Sequence, residues 1–208
     1  MGLYYKIKNV GVWNAIKIAF FKYLDINILK LHYLVLKTDI KEVDKALDGF
    51  DLKVKELRYE DFLKGNPENF DAFKLEIIKE RLKSTDYKSW GIIENDVLIY
   101  STWISTGHIG LPYGKINAPL LPNEGLLEDS YCDPIARGRG LHGKMNLYRI
   151  KQLYEMDRAR VVVIVYDKNE PALKVQRKCG FEDYGTFISG KILGIPFNTF
   201  NKKKYDNR

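Results

Sequence analysis

Cysteine and histidine are scarce in this chain, two and three residues respectively out of 208. Cys132 and Cys179 are too few for a disulfide framework and form no Cys-x-x-Cys pair, so both are expected to be reduced and structural. His32, His108 and His142 share no ligand spacing with the cysteines, and no metal site is expected. Long apolar runs are also lacking: the longest, Val161–Val165, falls far short of a bilayer span. The N-terminus has no apolar stretch followed by small residues at a cleavage point, so the expected location is cytoplasmic. There is no acidic excess: 34 Lys and Arg against 27 Asp and Glu leave a formal charge of +7, which suits an anionic partner. The three lysines at 202–204 make too small a patch to hold nucleic acid at physiological salt.

What is present supports one substantial core, with 45% of the residues hydrophobic. Residues 1–50 read as an N-terminal helix and strand extension packed on a core domain that occupies 51–208. Trp13, Ile16, Phe20 and Leu24 recur at helical spacing, with Lys17 and Lys22 off the stripe. Such a helix packs on its own domain or lies with its basic side on a membrane surface. Leu29–Leu36 and Val54–Tyr59 read as strands, and Asn66-Pro67 as the start of a helix with Phe70, Phe73, Ile77 and Ile78 on one side. Two β-rich runs flank Glu94-Asn95-Asp96, a hairpin signal, and the glycine- and proline-rich stretch 106–125, which contains His108, reads as a long irregular connection or a hairpin with distorted ends. From residue 126 the pattern is strand, glycine loop, helix 141–157, strand Val161–Tyr166, helix 171–179 and two terminal strands, 181–188 and 192–200. The expected class is α/β (α+β): a single mixed, mostly antiparallel sheet flanked by helices, with one parallel crossover.

The glycine loop, Asp133-Pro-Ile-Ala-Arg-Gly-Arg-Gly-Leu-His-Gly-Lys-Met145, admits two phosphate readings. Gly138-x-Gly140-x-x-Gly143 has the spacing of a dinucleotide turn. That fold needs its glycines directly after the first buried strand and several βα units afterwards. Here the loop begins more than halfway along the chain, and too few residues follow for a second half. Arg137-x-x-Gly140 has instead the spacing of an acyl-coenzyme A pyrophosphate loop. Glycines at 138 and 140 bare consecutive N–H groups at a helix mouth, where a diphosphate would sit, with Arg137 and Arg139 as charged donors.

The run Leu127–Leu141 resembles the strand and pyrophosphate loop of the GNAT superfamily of acyl-CoA N-acyltransferases. A second block, Asn169-x-x-Ala172 followed by Lys178-Cys179-Gly180-Phe181, is similar to that family's next helix. The resemblance covers about residues 54–190 and implies transfer of an acyl group, in the simplest case acetyl, from coenzyme A to the amine of a small molecule such as an amino sugar or amino acid. It implies cofactor contacts at Cys132, Ile135, Arg137, Gly138, Arg139, Gly140, Leu141, His142, Gly143 and Asn169, with the pantetheine arm between two parting parallel strands. Glu128 is the expected base, sharing a strand face with Ser130 and Cys132, while Asp129 and Tyr131 lie on the other face and are the further catalytic candidates. Two residues depart from the pattern. His142 makes the helix start bulkier than usual, and Gln176 replaces the family's thiol-protonating tyrosine, for which Tyr131, Tyr166 and Tyr184 are substitutes. The departures leave a catalytically inactive coenzyme A-binding or partner-binding module as the alternative. No nucleic-acid partner is expected, so a labelled oligonucleotide mixed with the protein at low salt should not shift in a gel; a shift that vanishes steeply with added salt would reverse that expectation.

Overall fold

The computed structural model describes residues 13, 27–36, 40–50, 53–110 and 117–202. Trp13 is helical and exposed, while the rest of its expected stripe lies outside the described residues. The elements are β1 (Asn27–Leu36), α1 (Ile40–Leu47), β2 (Val54–Glu56), α2 (Tyr59–Phe62), α3 (Ala72–Lys83), β3 (Tyr87–Glu94), β4 (Val97–Ser105), β5 (His108–Gly110), β6 (Asn117–Pro119) and β7 (Glu124–Cys132). A 3₁₀ turn at Pro134–Ala136 follows, then α4 (Leu141–Glu155), β8 (Arg160–Tyr166), α5 (Glu170–Lys178), β9 (Phe181–Ile192) and β10 (Ile195–Lys202).

One eight-stranded sheet runs β10-β9-β1-β8-β7-β4-β3-β2. Every neighbouring pair is antiparallel except β7–β8, the pair joined through α4. Strand β1 lies between β9 and β8, hydrogen-bonded to both, so a division at residue 50 would cut through the sheet. Its alternation explains why: Leu34 and Leu36 join the core under α4 and α5, while Tyr33 and Val35 join a cluster on the opposite face. A strand apolar on both faces belongs inside a sheet. Helices α1, α4 and α5 cover the first face with Val43, Met145, Ile150, Leu153 and Leu173. Helices α2 and α3, with Phe62 and Ile78, and Phe70 of the connection between them cover the β3–β4 end of the other, and the small β5–β6 ribbon contributes Ile109 beside them.

Local chemistry sets the element ends. Asn95 and Asp96, both at positive φ, make the two-residue turn between β3 and β4. Leu193-Gly194 does the same between β9 and β10, and Gly180 at φ 88° closes α5. Helix α3 starts later than Asn66-Pro67 suggests. Asn66 forms a local turn, its side chain accepting from the Glu68 amide, and Asp71 is the cap, accepting from the Lys74 amide at 2.8 Å. The later start rotates Phe73 outward to 77% exposure, off the expected apolar side that Ile78 keeps.

Gly91 sits in β3 where a Cβ would run into the Tyr100 carbonyl oxygen of the adjoining strand. Backbone cannot yield as a side-chain tip can, so Gly91→Ala should destabilise the fold by about 1–3 kcal/mol, seen in thermal unfolding as a fall of roughly 3–10 °C; an unchanged midpoint would contradict this packing.

Candidate active site at a parted strand pair

Strands β7 and β8 pair at only four positions, from Glu124↔Arg160 to Leu127↔Val163. The paired end is pinned by an ion pair, Arg160 Nε to Glu124 Oε1 at 2.7 Å, between register partners. Beyond Leu127 the strands diverge. The cause lies on the other side of β7, where Ser101 faces Tyr131 but Trp103 faces Glu128. One extra residue is therefore bulged out at 129–130, and Asp129 takes a left-handed φ of 47°. Arg149 of α4 supports the bulge from below, donating through Nη1 to the carbonyls of Trp103 (2.9 Å) and Glu128 (3.1 Å) and through Nη2 to Asn146 Oδ1.

A cleft of about 150 Å³ opens between the parted strands, bounded by Leu127–Ser130, Val163–Tyr166, His142, Arg149, Asn169, Ala172 and Gln176. A second cavity of about 170 Å³ lies on the α3 side of β7, bounded by Asn69, Phe70, Lys74, Ser101, Trp103, Asp129, Ser130 and Tyr131. Asp129 and Ser130 belong to both, so the bulge is the wall between the two cavities.

The bulge also rearranges the carboxylates. Strand alternation places Glu128 and Asp129 on opposite faces, but both reach Arg81, at 3.4 and 2.8 Å, because a bulged strand loses its period of two. Asp129 is also bonded by Lys74 at 2.5 Å, so two cations hold it. Glu128 is less satisfied: its Oε1 is buried without a partner. Burial lifts its pKa above the usual carboxylate range, outweighing the pull of Arg81. Tyr131 donates to Asp133 Oδ2 at 2.7 Å, and desolvation together with that carboxylate raises its phenol to about 12. Tyr166 lines the cleft, whereas Tyr184 packs against Tyr33 and under the Arg160 guanidinium, away from it.

At the mouth of α4, Gly138 (φ 79°) and Gly140 (φ 73°) have the conformation glycine tolerates best, and a Cβ on either would meet open space. Backbone angle, not crowding, selects glycine there. Gly140 caps the helix without a side-chain bond, so the first N–H groups of α4 have neither a carbonyl a turn before them nor a side-chain cap. Gly143 needs neither the angle nor the space. Arg137 is exposed, with no ion pair among the described residues, whereas Arg139 forms a bidentate pair with Glu94 at 2.8 and 2.7 Å. Ile135 is exposed, and its N–H is taken by Asp133 Oδ1 at 3.0 Å, which removes that donor from the expected contacts. Cys132 is half-buried, and burial raises its thiol pKa, the reverse of an activated nucleophile. Leu141 is buried, holding the start of α4 to the core. Asn169 caps α5, accepting from the Ala172 amide, and lines the cleft.

His142 does not crowd the loop. Its side chain turns toward the sheet, where Nδ1 meets the Tyr100 hydroxyl at 2.6 Å, and burial lowers its pKa to about 4. Burial likewise raises the Tyr100 phenol to about 12. Ser130 and Thr102 pair through their hydroxyls at 2.9 Å beside it. Arg149 was not among the residues expected here. Its signal is its position: residues 141, 145, 149 and 153 fall on one stripe of α4, and a cation interrupts Leu141, Met145 and Leu153.

No family model matches the chain, and no curated protein matches it in sequence. Among solved structures, a GNAT-family chain from Novosphingobium aromaticivorans superposes with a TM-score of 0.54 at 12% identity, over 86% of this chain and 66% of that one. The GCN5-related glucosamine N-acetyltransferase region of a fungal multi-domain GH3 β-N-acetylglucosaminidase gives 0.55 at 13% identity, over 85% of this chain and 23% of that one. The chain has the GNAT fold. It spans less than two thirds of either chain's length, and a conserved Staphylococcus epidermidis protein of unknown function superposes equally well, with a TM-score of 0.54 at 12% identity over 90% of this chain and 67% of that one. Within the GNAT fold described here, the parted parallel pair is β7–β8 and the glycine loop opens α4.

Because the folded pKa of His142 is depressed, its contribution to stability is present above pH 6.5 and is lost as the pH falls through 4. Urea unfolding should register a loss on the order of 3 kcal/mol from this group over that window, and His142→Gln should flatten the slope; an unaltered slope would contradict a buried neutral imidazole.

Proposed function

We propose that the protein is an acyl-CoA-dependent N-acyltransferase, in which the thioester enters the β7–β8 cleft and a small-molecule amine enters the cavity beside α3. The observation that carries this reading is that the two cavities share one wall, Asp129 and Ser130, so a donor in one and an acceptor in the other meet there. The residues present fit coenzyme A. Bare N–H groups at 138–143 and the unpaired Arg137 suit a diphosphate, and the unpaired edges of β7 and β8 beyond residue 127 suit the amides of its arm. Coenzyme A supplies an acyl group activated as a thioester; the chain's own residues do the rest.

Glu128 is the base in this reading. Its buried carboxylate, with a free oxygen and a raised pKa, takes a proton from the acceptor nitrogen as the N–C bond forms and the C–S bond breaks. Asp129 is held between Lys74 and Arg81 and serves to position the bulge. Sulfur leaves as a thiolate, whose conjugate acid has an ordinary pKa of about 8.5, so a dedicated acid is not required and Gln176 is compatible with turnover. The acceptor cavity, with Lys74, Ser101, Ser130 and Tyr131 on its walls, suits a neutral or anionic polar amine such as an amino sugar or an amino acid.

Calorimetry with coenzyme A should give binding that Arg137→Glu weakens by about tenfold or more; no binding to the wild type would end this reading. In turnover assays against a panel of amines, Glu128→Gln should lower kcat by roughly 10²–10⁴-fold. The wild-type kcat/KM should rise with pH through an apparent pKa above the ordinary carboxylate value, a limb the variant lacks. Binding without turnover of any amine would favour the inactive module instead.

A further inference from the structure

We propose that the acyl group this cleft selects ends in a carboxylate, in place of the acetyl group that the family resemblance implies, and that Arg149 recognises it. The inference rests on the acyl-transfer reading and deepens it.

Arg149 is 1% exposed, and its guanidinium has five N–H donors, of which three are used. Two go to the bulge carbonyls and one to Asn146, all neutral oxygens, and Nε has no partner. Among the described residues, no carboxylate lies within ion-pair distance of it. Around the middle of β7 the charges do not balance. Lys74, Arg81 and Arg149 carry three positive charges, against two carboxylates, Glu128 and Asp129, and those two carboxylates are bonded by Lys74 and Arg81. Arg149 is thus a fully buried cation without a counter-ion. Taking such a charge out of water costs several kcal/mol unless an anion meets it.

An acetyl methyl group would leave Nε and the spare Nη2 hydrogen of Arg149 without a partner. A carboxylate would take Nε and the spare Nη2 hydrogen of Arg149 together, the bidentate pairing that guanidinium geometry favours. The carboxylate could be supplied by the donor's acyl chain or by an acceptor such as an amino acid. Arg149 borders the donor cleft and not the α3-side cavity, which assigns the carboxylate to the donor.

The test is calorimetry of the full chain with coenzyme A, acetyl-CoA and succinyl-CoA, repeated with Arg149→Lys and Arg149→Met, with each variant's fold checked by thermal unfolding. The wild type should bind succinyl-CoA about tenfold or more tightly than acetyl-CoA. Arg149→Met should abolish that preference, read as the ratio of the two thioester affinities within the variant, whatever the change in its affinity for coenzyme A itself, and Arg149→Lys should retain part of it, since lysine keeps the charge without the fork. Should Arg149→Met fail to fold, the wild-type comparison and Arg149→Lys still decide. Equal affinity for the two thioesters, or a preference that survives in Arg149→Met, overturns the inference and leaves acyl transfer standing. Absence of binding to all three ligands, coenzyme A included, removes the acyl-transfer reading itself.

Discussion

Strand β7 cannot pair along its whole length with both neighbours, because at Asp129 its backbone takes a left-handed φ and one residue bulges out opposite Thr102. Everything at the candidate site follows from that kink. Below it, β7 and β8 are paired and pinned by Glu124 and Arg160; above it, they part into a cleft. A left-handed non-glycine residue is strained by about 1–3 kcal/mol and needs support from its surroundings. Arg149 supplies it from inside the core, bonding the carbonyls on both strands that flank the bulge, and Lys74 and Arg81 hold the Asp129 side chain from the opposite face. A helix on each side of the sheet thus fixes one irregular residue.

The same arrangement separates two carboxylates that are adjacent in sequence. Asp129 is bonded by two cations and is part of the scaffold, whereas Glu128, bonded by Arg81 alone, keeps a buried oxygen unpaired. The loop at 138–140 follows a similar division. Arg139 is tied to Glu94 in a solvent-screened pair, while Arg137 has no ion pair among the described residues. Side chains that hold the frame and side chains left available for chemistry therefore alternate along both segments.

Much of the fold was legible in the sequence. The hairpin at Asn95-Asp96, the strand-loop-helix-strand crossover and the glycine that closes α5 are local signals, each carried by a few neighbouring residues. The loop glycines were legible for the same reason. The place of β1 was not, because its partners β8 and β9 lie more than a hundred residues away. Nor were the relations across β7. Alternation put Glu128 and Asp129 on opposite faces, and only a bulge set by tertiary bonds brings both to Arg81. Likewise His142, a bulky residue at a helix start, turns inward because Tyr100 of β4 offers a hydroxyl, a partner 42 residues distant. Arg149 left a readable trace as the cation in an apolar stripe, but its partners became clear only with the strands in place.

Acyl transfer at this site requires the parted strands to admit the thioester arm while the bare amides hold its diphosphate. The most direct measurement is a crystal structure of the protein grown with coenzyme A. Density is expected for the two phosphates against the amides of residues 138–143, and for the arm running between β7 and β8 toward Asp129. Density for coenzyme A elsewhere on the surface, or β7 and β8 paired to their ends with no gap beyond Leu127, would contradict it.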